Sequence, residues 1–214
     1  MKLEYIAPKQ IEKKSFEMIT EIIKKEYSDR IIDKEQEPII KRVIHTTADF
    51  EYLDTLCFQY DAVKRGKQAL QNGACIVTDT QMVKAGINKK FVERLGGEVY
   101  CFMSDDDVAE IAKKQNITRA VASMDKAVQL QKPILFAVGN APTALVRIYE
   151  LVKQNKIIPE LIIGVPVGFV NVVQSKELIL SLKVPSIVAK GRKGGSNVAA
   201  AICNALLYEL IERE

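Results

Sequence analysis

Pro133-Ile134-Leu135-Phe136-Ala137-Val138-Gly139-Asn140-Ala141-Pro142-Thr143 is the stretch that decides the fold. Six residues run without a polar break and stop at Gly139-Asn140. Pro142 then stands where a helix can begin, and helical character continues to Gln154. An uninterrupted apolar run marks a strand buried on both faces, and a helix directly after it is half of a parallel crossover. The alternation repeats on both sides. Ala74-Cys75-Ile76-Val77, Glu98-Val99-Tyr100-Cys101-Phe102-Met103, Leu161-Ile162-Ile163-Gly164-Val165 and Pro185-Ser186-Ile187-Val188-Ala189 are further runs of this kind. Helical segments fall at Asp106 to Gln115, Thr118 to Gln131, Asn171 to Leu182, and about Ser196 to Glu212. Strands alternating with helices predict an α/β fold, three layers α/β/α around a mainly parallel sheet.

The 214 residues suit one domain over 1–214, with 1–38 as a helical arm packed on it. An apolar fraction of 48% is ample for a core. No stretch approaches the ~20 apolar residues that span a bilayer, so no membrane partner is expected. Met1-Lys2-Leu3-Glu4-Tyr5 lacks the apolar centre of a signal peptide, which makes the cytoplasm the expected location. Cys57, Cys75, Cys101 and Cys203 are far apart in sequence and form no CxxC pair, so reduced thiols are expected rather than a disulfide framework or a metal site. The net charge of +4 is mild, and no aromatic residues alternate with Arg or Lys, which argues against nucleic acid. Asp105-Asp106-Asp107 reads as a helix N-terminus, where carboxylates offset the dipole. Lys9 to Lys14 and Lys24 to Glu26 read as the solvated face of a helix whose apolar side holds Phe16, Ile19, Ile22 and Ile23.

His45 is the single histidine. Histidine exchanges a proton near neutral pH at little cost, so this residue is the candidate acid or base of its type. The plainer alternative is a polar residue held in a hydrogen-bonded niche. Ile39, Ile40, Val43 and Ile44 follow helical spacing after Pro38, and Thr46-Thr47-Ala48-Asp49 favours a break. His45 is therefore expected at an element end, where functional side chains tend to be presented.

Ligands of such sheets bind at the carboxyl ends of the strands. The loops predicted there are Gly139-Asn140-Ala141-Pro142-Thr143, Gly164-Val165-Pro166-Val167-Gly168-Phe169-Val170 and Lys190-Gly191-Arg192-Lys193-Gly194-Gly195-Ser196-Asn197. The last combines glycines, three cations and a helix start, a combination suited to a carboxylate or phosphate. An ordinary strand-to-helix turn capped by Ser196 or Asn197 is the alternative. For at least one of Gly194 and Gly195 the expectation is that ligand approach, rather than the turn itself, excludes a side chain. Neither GxxxxGK[ST] nor GxGxxG is present, so a nucleotide gains no specific support.

These segments resemble one family: precorrin-8X methylmutase, or cobalt-precorrin-8 methylmutase, of cobalamin biosynthesis. The resemblance is carried by Ser15-Phe16, by Arg42-Val43-Ile44-His45-Thr46-Thr47-Ala48-Asp49-Phe50, and by Gly73-Ala74-Cys75-Ile76-Val77-Thr78-Asp79 with Met82-Val83-Lys84-Ala85-Gly86-Ile87. It continues through Thr118-Arg119-Ala120, Gly139 to Leu145, Gly164 to Val170 and Gly191 to Ser196, in the family's order and over nearly the whole chain. The chain departs from the pattern at Gln174, where an acidic residue is expected before Ser175-Lys176.

The resemblance implies an isomerase that moves a methyl group from C-11 to C-12 of a corrin-forming macrocycle, without an organic cofactor or a protein-held metal. It implies His45 as the general acid, with Ser15, Thr46, Asn140 and Thr143 as neutral partners of the substrate. Arg119, Arg192 and Lys193, with Gly168, Gly194, Gly195 and Ser196 of the loops, are implied to face the macrocycle's acetate and propionate arms. A homodimer is implied as well. In the last helix, Ala199-Ala200-Ala201 permits close packing either inside the subunit or across an interface. The rival readings are a tetrapyrrole carrier without turnover and a phosphate-ligand transferase using Gly191 to Ser196.

Overall fold

Alternate residues of each buried strand enter different cores, and this builds the layers. The computed structural model describes residues 5–211, apart from the side chain of Lys9. The expectations for residues 1–4 lie outside the described residues, and the last helix, expected to run to about Glu212, ends already at Tyr208. The strands are β1 Leu56–Gln59, β2 Cys75–Thr78, β3 Val99–Tyr100, β4 Ile134–Val138, β5 Leu161–Gly164 and β6 Ser186–Ala189. Their order across the sheet is β1-β6-β5-β4-β2-β3. β1 runs antiparallel to β6, and every other neighbouring pair is parallel.

The helices are α1 Pro8–Glu26, α2 Glu37–Thr47, α3 Tyr52–Thr55, α4 Ala62–Gln71, α5 Gln81–Gly86 and α6 Lys89–Arg94, then α7 Asp106–Gln115, α8 Arg119–Val128, α9 Pro142–Lys153, α10 Val172–Leu180 and α11 Ser196–Tyr208. Leu135, Ala137, Ile163 and Ile187 face one core with Val43 of α2 and Ile202 of α11. Their neighbours Phe136, Val138, Ile162 and Val188 face the other, with Met124 of α8, Leu145 of α9 and Ile179 of α10. Helices therefore cover both faces of the sheet, the three-layer α/β/α arrangement.

α11 is buried along most of its length, Ala199-Ala200-Ala201 included, and packs against α2 and α5 of the same chain. α1 packs on α2. α7 begins with Asp105 as its cap, as the acidic run predicts, and Lys126 of α8 reaches Asp105 and Asp107, each at 2.7 Å.

Two strands differ from expectation. β1 is an added antiparallel edge strand. It is half-buried and ends at Gln59, so its short apolar stretch carries no strong pattern. β3 forms a ladder only at Val99 and Tyr100, although Cys101 and Phe102 stay buried beyond it.

Candidate active site

Sheet order locates the crevice before any side chain does. From β2 the chain passes to β3 on one side, and from β4 through β5 to β6 on the other. The direction reverses between β2 and β4, and open α/β sheets bind ligands outside the carboxyl ends of strands at such a point. Asp79 follows β2 here and is fully buried. Its carboxylate accepts the amides of Gly139 at 2.9 Å, Asn140 at 2.8 Å and Ala141 at 2.6 Å. Burial raises its pKa above the ordinary carboxylate range, against the opposing pull of these amides. Asp79 thus fixes the loop that carries Asn140, whose side chain is exposed, and leads into half-buried Thr143. The Thr143 hydroxyl pairs with that of Thr118 at 3.1 Å, next to exposed Arg119 at the start of α8. Across the crevice, Ser196 at the start of α11 bonds Thr80 hydroxyl to hydroxyl at 3.0 Å.

His45 lies in the last turn of α2, which closes at Ala48 in a left-handed conformation with its amide on Ile44 O. The expected element end is therefore present. α2 runs antiparallel to α11: Pro38, Lys41 and Arg42 share a groove of about 710 Å³ with Ala205, Tyr208 and Glu209 at the far end of α11. The His45 end of α2 consequently lies toward the Ser196 end of α11, where the strand-end loops gather. That groove contains none of the residues expected to bind substrate.

The immediate surroundings of His45 come from α1. Ser15 Oγ lies 2.8 Å from His45 Nδ1. A hydroxyl can donate to Nδ1 of the neutral ring and accept from Nδ1–H of the imidazolium, so this partner suits both protonation states. Phe16 stacks on the imidazole with centroids 5.3 Å apart. Arg42, three residues before His45, lies 4.6 Å from the Phe16 ring centroid and pairs with Glu12. Glu12, Ser15 and Phe16 thus dock on Arg42 and His45 through one helix face. The imidazole itself remains exposed, and Nε2 is the ring atom left for proton exchange. Thr46 is also exposed, and its hydroxyl donates to Arg42 O at 2.9 Å.

The glycine-rich loop sits differently from a free cationic cradle. Lys193 Nζ pairs with Asp49 and Glu51, each at 2.6 Å, just beyond the end of α2. These carboxylates raise the Lys193 pKa, and Lys193 in turn lowers that of Asp49. Lys193 therefore fastens the loop beside the His45 corner, while exposed Arg192 and Lys190 have no ion pair among the described residues. Gly168 donates its amide to Arg192 O at 3.2 Å, and Gly195 donates to Val165 O at 2.8 Å, so the β5 and β6 loops are laced together. A Cβ on Gly194 would lie 2.1 Å from Val165 O. At Gly194 the fold itself excludes a side chain, so exclusion by ligand approach, expected for at least one of the pair, falls to Gly195. At Gly195 a Cβ would meet the side chain of Asn197 at 2.5 Å, with φ at +140°.

Sequence reasoning missed Glu12, Arg42, Asp79, Thr80 and Lys176. For Glu12 and Arg42, helical spacing held the signal, since Glu12 shares a face with Ser15 and Phe16, and Arg42 with His45. A lone acid directly after a buried strand was the signal for Asp79. Among the described residues no group of His, Cys, Asp and Glu is arranged to hold a metal ion.

Comparison with known proteins identifies the family. The family model described as precorrin-8X methylmutase matches residues 10–209. The chain is 47% identical to the cobalt-precorrin-8 methylmutase of Priestia megaterium, covering 94% of this chain and 88% of that one. It is 47% identical to the cobalt-precorrin-8 methylmutase of Salmonella typhimurium, covering 96% and 97%. The crystal structure of a precorrin-8x methyl mutase from Thermus thermophilus superposes with a TM-score of 0.84 at 35% identity, over 93% of this chain and 94% of that one. Similarity of this extent to methylmutases makes the chain an enzyme, an isomerase of cobalamin biosynthesis. From residue 10 to residue 209, this chain belongs to the precorrin-8X methylmutase family.

Proposed function

We propose that the enzyme moves the methyl group of precorrin-8X, or of cobalt-precorrin-8, from C-11 to C-12 by a proton-assisted 1,5-sigmatropic shift, giving hydrogenobyrinate or cobyrinate. The observation that carries this reading is the exposed His45, held by Ser15 at the end of α2 and joined to the glycine-rich loop through Asp49, Glu51 and Lys193. The shift is intramolecular and needs no nucleophile. Protonation of the ring system weakens the migrating bond, and a positioned general acid serves that step. The reaction is an isomerisation, so the proton lent by Nε2 returns from the macrocycle. Ser15 stabilises both states of the imidazole during the exchange.

The substrate's carboxylate arms pair with Arg192 and Arg119, with Asn140 and Thr143 as neutral donors and Thr46, its hydroxyl hydrogen held by Arg42 O, beside His45. Gly168, Gly194, Gly195, Ser196 and Lys193 shape the wall through the contacts described above. Val167, Phe169 and Val170 stand exposed on the β5–α10 loop and offer the apolar surface that a macrocycle face or a second subunit would cover. A homodimer is part of this reading, and sedimentation should give twice the chain mass; a monomer at assay concentration contradicts it. A cytoplasmic location is supported by the free cysteines, of which Cys75, Cys101 and Cys203 are buried. Among the described residues no helix is long and apolar enough to cross a membrane.

Incubation with the macrocyclic substrate, with and without cobalt, followed by absorption spectroscopy, tests the reading. A spectrum that shifts to the product's with multiple turnovers supports it. Binding without spectral change would make the protein a carrier, and binding of sugar phosphates or nucleotides in place of the macrocycle would favour the transferase reading.

A further inference from the structure

Lys176 on α10 is buried to 1% exposure, and among the described residues no carboxylate pairs with it. Its Nζ instead donates to two backbone carbonyls of the β6–α11 loop, Gly191 O and Lys193 O, each at 2.8 Å. Between them, Arg192 O accepts the amide of Gly168. Three successive carbonyls of the loop are thus turned inward onto donors. The amides of Gly191, Arg192, Lys193 and Gly194 donate to no protein acceptor among the described residues, and the first three of these residues are exposed. Taking the carbonyls inside leaves the loop presenting N–H groups and the Arg192 side chain, an arrangement that receives an anion.

From this geometry we infer that Lys176 is a positioning residue of the substrate site: by anchoring the Gly191 and Lys193 carbonyls it holds the loop's amides and Arg192 toward a carboxylate arm of the macrocycle. The inference rests on the substrate reading proposed above. Stability alone does not account for this lysine. Burial without an opposite charge lowers its pKa to about 8, which measures the cost of keeping an ammonium there. A methionine would fill nearly the same volume without that cost, and replacing buried charges by apolar residues is often neutral or stabilising. The carbonyls of this exposed loop could turn to water in its absence, which would rotate the amides away from their present side.

The test compares wild type with Lys176→Met and Lys176→Gln in the full chain. Melting temperature, KM and saturating kcat are measured with precorrin-8X, and hydrogenobyrinate serves as the binding probe. We expect folded variants whose KM and product Kd rise about tenfold, the scale of one charge-assisted contact, while kcat stays within about threefold. A folded variant with wild-type KM overturns the inference, as does one that loses kcat with KM unchanged. Hydrogen exchange of wild type needs no variant. Added hydrogenobyrinate should protect the amides of residues 191–194, and unchanged exchange overturns the inference even if neither variant folds. Wild type that rearranges the macrocycle while Lys176 variants match it sinks this inference alone; wild type that neither binds nor rearranges it sinks the substrate reading and this inference with it.

Discussion

Gly194→Ala is expected to destabilise the fold by about 2–4 kcal/mol. The new Cβ would lie 2.1 Å from Val165 O, 2.8 Å from Val165 C and 2.9 Å from Pro166 O. Carbon and its neighbours prefer roughly 3.5–4.0 Å, so relief requires the backbone of one loop to move by more than ~1 Å. No flexible side-chain end is available to give way. Overpacking of this kind costs about 1–3 kcal/mol. Moving the loop also breaks the hydrogen bond from Gly195 N to Val165 O, worth about 1 kcal/mol, and strains the Lys176 contacts behind it. For a chain of this length each kcal/mol shifts the melting temperature by about 2–4 °C, so a fall on the order of 10 °C is expected. Gly195→Ala is the comparator. Its obstruction is the side-chain end of Asn197, which can swing aside, leaving mainly backbone strain of about 1–3 kcal/mol. Thermal melts and urea titrations of both variants read these differences. A Gly194→Ala protein that melts within about 2 °C of wild type, equivalent to less than about 1 kcal/mol, but fails to bind the macrocycle would refute this reasoning and return the glycine to ligand approach.

Lys176 predicts a pH dependence of stability with a definite sign. Its folded pKa of about 8 lies below the ordinary 10.5, so between those values the unfolded chain holds a proton the folded chain has released. Stability relative to Lys176→Met should therefore be lowest below pH 8 and rise by on the order of 2–3 kcal/mol toward pH 10.5; urea titrations of both proteins at pH 7, 9 and 10.5 measure it, and a flat difference would contradict the buried, unpaired ammonium. Arg192 and Lys193 should separate in binding. Arg192→Ala is expected to weaken macrocycle binding at low salt by roughly tenfold, an effect that shrinks as salt screens it. Lys193→Ala should mainly loosen the loop, because its ammonium is engaged with Asp49 and Glu51. Equal losses from the two substitutions, measured by titration across salt concentrations, would restore Lys193 to direct contact.

The central strands were legible because parallel strands buried on both faces need apolar residues at every position, and Ile134–Val138 and Leu161–Gly164 supply them. β1 was not legible, because a half-buried edge strand of four residues imposes little pattern on its sequence. His45 could be placed at an element end from the apolar spacing before it and the β-branched residues after it. What held it there could not be read, since Ser15 is thirty residues away and reaches it only when α1 docks. The same distance in sequence hid the roles of the basic residues. Lys193 meets Asp49 and Glu51 across more than 140 residues, and Lys176 looks in sequence like any surface lysine on a helix. Glycine spacing correctly marked Gly191 to Gly195 as special. It could not distinguish a ligand from the neighbouring backbone of Val165 as the reason at Gly194.

The most direct test of the account is a single-turnover rate for His45→Ala with saturating enzyme and the macrocyclic substrate, followed by absorbance at neutral pH. His45 is exposed and lies outside both cores, so the variant should fold and bind hydrogenobyrinate with near-normal affinity. Its rearrangement rate should fall by roughly 10²-fold or more, the contribution of a positioned acid. A folded His45→Ala protein that rearranges the macrocycle at close to the wild-type rate would remove His45 from the chemistry and contradict the account.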